Sequence, residues 1–375
     1  MRVLFGITKG EVGGAQEHLR ILAQGLLAAG HEVAVMVHQP SPLAEAIGRM
    51  GGDVLPWHSI VGPVSPGADR RARRELGEAV EAWGPDILHV SSSKAGILGT
   101  GLLAAPRGAT VFTCHHLPIG PGRLWRNRVV ARPVLQFALP RMDGIITVGA
   151  RDMPTIRRLA PKVPLRLIRN AVPFDRPPVS TGPLRPVALW VARLAHPKDP
   201  LLAISAWELV TQKVPSARLI LCGTGPLDAQ VRARLRRSPG SSSVEVRGFV
   251  DELSPLQAEA SAFLLASSAE GGLTMATLDA MGQGLVPIVS DVGDAAQLEE
   301  IGAGICVRLP GPAPMAAALI ELFADPERFD QLRAHALAYA RVDRTPEHHV
   351  EETVSFYREV LDRSAGRVRR HRAGA

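Results

Sequence analysis

Short apolar runs alternate with amphipathic helical stretches along most of the chain. Val3–Ile7 has the pattern of a buried strand, residues 10–14 form a Gly-containing loop, and the apolar positions that follow predict a helix from Ala15 to about Ala29. Further strands are predicted at Val33–Val37, Ile87–Val90, Thr110–Thr113 and Ile145–Val148. This alternation is typical of a doubly wound parallel sheet.

A Pro-rich segment at residues 173–186 interrupts the alternation. It has the composition of an interdomain linker, because closely spaced prolines prevent a helix or a central strand. A second α/β series follows, with strands predicted at Val187–Val191, Leu219–Leu221, Val244–Val246, Phe263–Leu265 and Val286–Val289. The fold class is therefore predicted as α/β, with two Rossmann-like domains facing each other across a cleft.

The predicted boundaries divide the 375 residues into five parts, in agreement with a length that exceeds one usual hydrophobic core. They are an N-terminal Rossmann-like domain at 1–172, the linker at 173–186, a C-terminal Rossmann-like domain at 187–345, a helix at 346–363, and a basic tail at 364–375 that we expect to be disordered.

A net charge of +7 favours an anionic partner, such as nucleic acid, a phospholipid surface or a phosphorylated ligand. Aromatic residues make up only 4%, too few for the stacking platforms of a nucleic-acid-binding protein. The three cysteines form no C-x-x-C pair, so no disulfide framework or zinc site is predicted. No apolar run reaches the length of a membrane span, and we expect a cytoplasmic protein.

Basic and apolar residues interleave between Arg123 and Arg132. Such a segment is typical either of a solvated helix over the acceptor cleft or of a helix on an anionic bilayer. Peripheral contact with the inner face of a membrane therefore stays open.

Two cations follow the first strand of the second series. Arg193 and Lys198 are predicted at the carboxyl end of a central strand, where ligands of open α/β sheets bind, and a diphosphate needs two such charges. Gly-containing turns end the next two strands, at Gly223 and Gly225 and then at Gly248 followed by Phe249. Turns without side chains allow close approach of a ligand to the backbone.

The most specific segment runs from Ser267 to Pro287 and carries two carboxylates. Glu270 precedes a Gly271–Gly272 turn, and Asp279 lies within a short helix. The amino terminus of that helix favours a phosphate, and the carboxylates are suited to sugar and ribose hydroxyls. By contrast, Gly13–Gly14 lacks the G-x-G-x-x-G spacing of a nicotinamide site.

The chain as a whole resembles the retaining GT-B glycosyltransferases of glycosyltransferase family four, especially bacterial polysaccharide and lipid-linked-oligosaccharide enzymes. The segments that carry the resemblance are Gly13–Gln16, Ser92–Gly96, His115 after Phe112–Cys114, Ile168–Val172, Arg193 with Lys198, and Glu270–Asp279.

The resemblance implies a role for each matched residue. Arg193 and Lys198 correspond to the donor diphosphate pair, Glu270 to the acid that contacts the donor sugar, Asp279 to the acid on the ribose, and His115 to a residue beside sugar and acceptor. The further donor-binding residues are predicted to be Gly13, Gly14, Asn170, Gly223, Gly225, Gly248, Phe249, Gly271, Gly272, Leu273 and Thr274. The predicted acceptor-binding residues are Gln16, Lys94 and His116. The C-terminal helix is expected to cross back to the N-terminal domain.

The chain departs from the family pattern at two positions. The family places Glu at both ends of its signature, eight positions apart, whereas Glu270 and Asp279 are nine apart (279 − 270) and the second acid is shorter. Ala171 also stands where the family commonly has Gly.

The predicted reaction moves a hexose from a nucleoside diphosphate, with UDP favoured, to a hydroxyl acceptor with retention of configuration. The acceptor is a glycan, a lipid-linked sugar or a small natural product. No carboxylate pair at glycosidase spacing is evident in the N-terminal half, so a same-face substitution assisted by the leaving diphosphate is favoured. We expect no cofactor and no metal, with the two cations in place of a divalent ion. A sugar-nucleotide epimerase or phosphorylase on the same scaffold is the alternative.

Overall fold

The computed structural model describes residues 1–103, 108–119, 125–238, 240–308 and 311–373, with the backbone alone at 125–130 and 367–373. The chain forms two compact units. The first comprises Met1–Ala171 and Pro346–Ala375, and the second comprises Val172–Thr345.

The first unit is a seven-stranded parallel sheet in the order β3-β2-β1-β4-β5-β6-β7. Its strands are β1 Arg2–Gly6, β2 Glu32–Val37, β3 Asp53–Pro56, β4 Ile87–Val90, β5 Ala109–Cys114, β6 Gly144–Thr147 and β7 Leu165–Leu167. Its helices are α1 Gly14–Ala28, α2 Pro42–Arg49, α3 Pro66–Trp83, α4 Ser93–Gly99, α5 Trp125–Ala138 and α6 Met153–Leu159, with short 3₁₀ turns at Leu139–Arg141 and Ala150–Asp152.

The second unit is a six-stranded parallel sheet in the order β10-β9-β8-β11-β12-β13. Its strands are β8 Val187–Val191, β9 Arg218–Cys222, β10 Val244–Gly248, β11 Ala262–Leu265, β12 Val286–Ser290 and β13 Ile305–Val307. Its helices are α7 Pro200–Lys213, α8 Asp228–Leu235, α9 Ser254–Glu259, α10 Met275–Gly282, α11 Gln297–Glu300, α12 Pro312–Ala324 and α13 Pro326–Ala338, with a 3₁₀ turn at Ser241–Ser243 and a π-helical turn at Tyr339–Asp343. The predicted fold class is confirmed.

The sheet of the first unit has a core on each face. One core joins β1 and β2 to α1, α2 and the last helix, α14 (Pro346–Ala373), whereas the other joins the sheet to α3, α4 and α6. Apart from the edge strands β3 and β7, the strands are therefore buried on both faces, which explains their mostly apolar sequences. The second unit has one continuous core, which contains the buried indole rings of Trp190 and Trp207.

The Pro-rich segment predicted as a linker packs within the second unit. Ser180 is buried, its hydroxyl donates to the Ala260 carbonyl at 2.7 Å, and its amide donates to the Gln283 carbonyl at 2.9 Å. A Cβ on Gly282 would overlap the ring of Phe174, so that ring lies directly against α10. The prolines exclude a helix or strand, but the segment still buries side chains.

Helix α14 is longer than the sequence indicates. It continues through residues 364–373, for which we expected disorder. Arginine is a good helix former, and extending an existing helix requires no new nucleus. Val354, Phe356, Tyr357 and Val360 of α14 are buried in the core with β1 and α1.

Candidate active site

The topology of the second unit places its switch point at β8. After β8 the chain adds β9 and β10 on one side of this strand, and it then adds β11, β12 and β13 on the other side. A crevice opens outside the carboxyl ends of strands at such a point, where ligands of open α/β sheets bind. The loops after β8 and β11 contain Arg193, Lys198 and Glu270.

Lys198 and Glu270 form an ion pair at this switch point. The Lys198 ammonium donates to Oε1 of Glu270, and the two side chains are 21% and 16% exposed. The Ser267 hydroxyl donates to the same Oε1 at 2.7 Å. The geometry therefore joins the loops after β8 and β11 through one carboxylate oxygen.

Arg193 is exposed and differs from Lys198 in having no fixed partner. Among the residues that the structure describes, its guanidinium makes no hydrogen bond or ion pair. A planar guanidinium without a partner, on the same loop as a paired ammonium, is suited to an oxyanion ligand.

Backbone hydrogen bonds hold these loops in place. The Ser268 amide donates to the Pro197 carbonyl at 2.9 Å, and the Leu194 amide donates to the Thr224 carbonyl at 2.9 Å. The Gly223 amide donates to the Gly248 carbonyl at 2.6 Å. The loops after β8, β9, β10 and β11 thus form one connected edge.

The glycines after β9 are needed for this connection. Gly223 has φ +142°, and a Cβ there would lie 1.9 Å from the Ala192 carbonyl oxygen; at Gly225, with φ +159°, it would lie 2.4 Å from the Leu194 oxygen. We predicted that both glycines make room for a ligand. The structure shows that they make room for the backbone after β8.

Helix α10 begins beside Glu270. Thr274 is its N-cap, with a hydroxyl that accepts from the Thr277 amide at 3.1 Å, while Gly271, Gly272 and Leu273 are buried in the preceding turn. Glu270, Gly272 and Thr274 line a small pocket with Ser267 and Ser290. The amino terminus of α10 therefore adds a partial positive charge to the Lys198 side of the site.

Asp279 lies one turn further along α10 and is engaged by a residue that sequence reasoning missed. Gln257 of α9 is 2% exposed, and its amide donates to Oδ2 of Asp279 at 2.6 Å. The carboxylate is therefore held toward α9. Phe249, which follows β10, is 56% exposed.

In the first unit, the loop after β5 places His115 in a cluster of three imidazoles. The His18 ring packs edge-on against His115, with centroids 4.9 Å apart, and against His349, at 4.8 Å. Nδ1–H of His18 donates to Oδ1 of Asn170 at 3.1 Å. Asn170, predicted on the donor, therefore holds His18.

Two imidazoles of this cluster, His18 and His115, are neutral at pH 7. Burial lowers the pKa of His18 to about 4, although its hydrogen bond to Asn170 acts in the opposite direction. Burial, reinforced by His18, lowers the pKa of His115 well below its ordinary value. Nε2 of His115 is buried and has no hydrogen-bond partner among the described residues.

The predicted acceptor residues are held by the protein itself. The Lys94 ammonium donates to the carbonyls of Val61 and Pro63 and pairs with Asp69 at 2.6 Å. Since an ammonium has three N–H groups, Lys94 anchors a loop. Gln16 donates to the Lys9 carbonyl at 2.9 Å, and its Oε1 lies against Gly13, beside Gly14 at the start of α1. His116 is partly buried next to His115.

Two other predictions concern membranes and metals. Residues 123 and 124 of the basic segment, and the side chains of 125–130, lie outside the described residues, so the structure does not test its membrane contact. None of the helices in the described ranges combines the length and apolar character needed to cross a bilayer. Within the same ranges, no three His, Cys, Asp or Glu side chains are arranged to hold a metal.

Both halves of the chain match models of glycosyltransferase families. The model "Glycosyltransferase Family 4" matches residues 12–176, and the model "Glycosyl transferases group 1" matches residues 185–325. The chain belongs to the GT-B glycosyltransferases of this type.

Similar proteins include other glycosyltransferases. The chain is 26% identical to a phosphatidyl-myo-inositol mannosyltransferase of Mycolicibacterium smegmatis over 88% of this chain and 84% of that protein. It is 24% identical to a glycogen synthase of Mycobacterium tuberculosis over 84% and 83%. The crystal structure of Anabaena HepE with UDP-glucose shares the fold, with a TM-score of 0.79 and 17% identity over 95% of this chain and 99% of that one.

Within this glycosyltransferase, the structure brings together Lys198, Glu270 and the start of α10 in one unit, with Arg193 on the same loop as Lys198. It brings His115 and Asn170 together in the other unit. Sequence reasoning missed His18, Gln257, Ser267 and His349. His18 carried a signal, because it lies four residues before Leu22 and therefore on the buried face of α1.

Proposed function

We propose that this glycosyltransferase moves a hexose from a UDP-sugar to a hydroxyl acceptor with retention of anomeric configuration and without a metal. The observation that carries the proposal is the pairing of Lys198 with Glu270 at the β8–β11 switch point, next to the amino terminus of α10, with the exposed Arg193 on the same loop as Lys198. The alternative, an epimerase or phosphorylase, has no comparable support.

The ion pair at the site supports an exchange of partners on donor binding. A diphosphate presents more negative charge to the Lys198 ammonium than the single Glu270 carboxylate does. When Lys198 turns to the diphosphate, Oε1 of Glu270 loses a charged partner and keeps the Ser267 hydroxyl. The carboxylate then accepts a hydrogen bond from a hydroxyl of the donor sugar.

The same cations assist bond cleavage. Negative charge develops on the diphosphate as the bond to the sugar breaks, and Arg193, Lys198 and the α10 amides stabilise it. In a same-face substitution the departing diphosphate also takes the acceptor proton. This mechanism needs no protein nucleophile. Arg193 and Lys198 take the role that a divalent metal ion has in other transferases.

The nucleoside is proposed to lie at the carboxyl end of β10. The exposed ring of Phe249 offers a stacking surface to a base. Asp279, whose carboxylate accepts from Gln257, is proposed to contact the ribose hydroxyls. UDP is favoured because a protein of the same fold, Anabaena HepE, has been solved in complex with UDP-glucose. His115 is proposed to contact the sugar during transfer.

Paired alanine variants test the donor site. Arg193→Ala and Lys198→Ala should each weaken UDP binding about 10- to 100-fold, the range expected for charge-assisted hydrogen bonds. Arg218→Ala and Lys213→Ala are matched controls, because Arg218 begins β9 and Lys213 ends α7, at the opposite edge of the sheet. Titration calorimetry measures the affinities, and unchanged affinity in both site variants would disprove the assignment.

A thermal-shift series identifies the donor. UDP-, GDP- and dTDP-sugars should raise the melting temperature in proportion to their affinity, because a ligand of the folded state stabilises it. We expect UDP-sugars to produce the largest shift. Turnover should be unchanged by EDTA, and NMR of the product's anomeric proton should show retention.

A further inference from the structure

We propose that His18 is a positioning residue that fixes the imidazole of His115 for sugar transfer. The inference rests on the proposed contact between His115 and the sugar, and it assigns a function to a buried side chain that this contact alone does not require. His18 lies on α1, and its ring contacts His115 edge to face.

The orientation of His18 is fixed from two sides. On one side, its Nδ1–H donates to Asn170, in the segment after β7. On the other side, its ring packs at 78° to the ring of His349, whose own Nδ1–H donates to the Arg169 carbonyl at 3.0 Å. Two segments of the first unit, the one after β7 and α14, therefore determine where the His18 ring lies.

His115 depends on this ring for its own orientation. Its ring stands at 86° to that of His18, an edge-to-face arrangement that is favoured for aromatic pairs. Among the described residues, Nε2 of His115 has no hydrogen-bond partner that would fix the ring instead. The ring contact with His18 therefore holds the His115 ring in place of a hydrogen bond.

The buried, unpartnered Nε2 also explains why a precise orientation has value. Leaving a buried polar atom unsatisfied is unfavourable, and a ligand hydroxyl removes this penalty when it bonds there. A reacting group that is displaced by about 1 Å can lose about 100-fold in rate. Because burial keeps both rings neutral at pH 7, repulsion between two charged imidazoles does not oppose their contact.

A double-mutant cycle tests whether His18 acts through His115. His18→Phe keeps a ring but loses the hydrogen bond to Asn170, and we expect it to lower kcat about 10-fold while leaving the donor KM and UDP affinity within about 2-fold. In a His115→Ala background the same change should alter kcat by less than about 2-fold, because the group it positions is gone.

His89→Phe is the matched control. His89 is equally buried in the same unit, but its hydrogen bonds go to Tyr357 and Thr113 and its ring packs against Phe5. It should lower the melting temperature without a change in kcat at temperatures where the protein is folded. If His18→Phe does not fold, His18→Gln, which keeps an amide for Asn170 but has no ring, takes its place in the cycle.

Each outcome decides between the two proposals. If His115→Ala keeps the wild-type kcat, the proposed contact of His115 with the sugar is wrong, and the inference is wrong with it. If His115→Ala lowers kcat, and His18→Phe lowers kcat by the same factor in that background as in the wild-type protein, only the positioning role is wrong. A loss of kcat in His89→Phe equal to that in His18→Phe would also overturn the inference, because it would indicate general damage to the unit.

Discussion

At the scale of single residues, one carboxylate oxygen has two partners whose balance a donor would change. Oε1 of Glu270 accepts from both Lys198 and Ser267. In the proposed donor complex Glu270 competes with the diphosphate for the Lys198 ammonium, and the two residues of the pair should respond differently to substitution.

Glu270→Gln removes the charge and keeps the shape. We expect UDP affinity to stay the same or increase, because the Lys198 ammonium is released, while kcat falls at least about 10-fold with the loss of the sugar contact. Calorimetry with UDP and initial rates measure the two effects. A loss of UDP affinity as large as that of Lys198→Ala would contradict the proposed exchange of partners.

The sequence allowed prediction of Arg193, Lys198 and Glu270, because they follow strands directly and matched a family pattern. It did not allow prediction of the partners that orient them. Nothing in the sequence pairs Gln257 with Asp279, and Lys94 was assigned to the acceptor although three protein oxygens surround its ammonium. Such contacts depend on side-chain directions that a one-dimensional pattern lacks.

At the scale of elements, the two glycine turns of the second unit have different physical causes. Gly223 and Gly248 both have positive φ, but only at Gly223 would a Cβ meet another backbone segment. The cost of a side chain is therefore conformational at one position and both conformational and steric at the other.

Gly248→Ala should lower the free energy of unfolding by about 1–2 kcal/mol, the strain of left-handed backbone in an L-residue. Gly223→Ala should cost at least about twice as much and weaken UDP binding, because the loop after β8 must move away. Chemical denaturation and calorimetry compare the two variants. Equal costs would show that the contact with Ala192 does not matter.

Helix α14 holds to its sheet through a buried hydrogen bond between Tyr357 and His89. Tyr357→Phe should therefore destabilise the first unit by about 1–3 kcal/mol, since it leaves a buried imidazole nitrogen without a partner. Tyr339→Phe is the natural control, because Tyr339 is partly exposed and water can replace it on Gln297. Denaturation curves should show the larger change for Tyr357, and the reverse order would contradict this view of α14.

Ten of the strands in the described residues could be predicted because each is a mostly apolar run that a turn or a helix follows. The three that were missed, β3, β7 and β13, are all edge strands of three or four residues. β3 contains Asp53 and Pro56, and β7 contains Arg166, so neither shows an apolar run. Pairing with a neighbouring strand, rather than composition, makes them strands.

At the scale of the whole molecule, buried histidines make stability depend on pH. Burial lowers the pKa of His18 to about 4 and of His89 to about 3, while both have ordinary values near 6.5 in the unfolded chain. Between these values the unfolded state binds more protons than the folded state. Their stabilising contribution is complete above about pH 6.5 and is lost as the pH falls toward 4 and 3.

We therefore expect the free energy of unfolding to decrease below pH 6.5, with each of the two histidines contributing about 1.4 kcal/mol per pH unit. His89→Phe should lose its share of the slope, although it is less stable at pH 7. Denaturant titrations from pH 7.5 to 5 measure both slopes. A flat profile in the wild-type protein would contradict this prediction, because it would show that burial does not lower the pKa of these imidazoles.

The central claim is that the second unit binds a nucleoside diphosphate at the β8–β11 switch point. A crystal structure with bound UDP tests it most directly. The account predicts density for the two phosphates beside the start of α10, with Arg193 and Lys198 within hydrogen-bonding distance and the Lys198 ammonium turned away from Glu270. Density for UDP at another place, with Lys198 still paired to Glu270, would contradict the account.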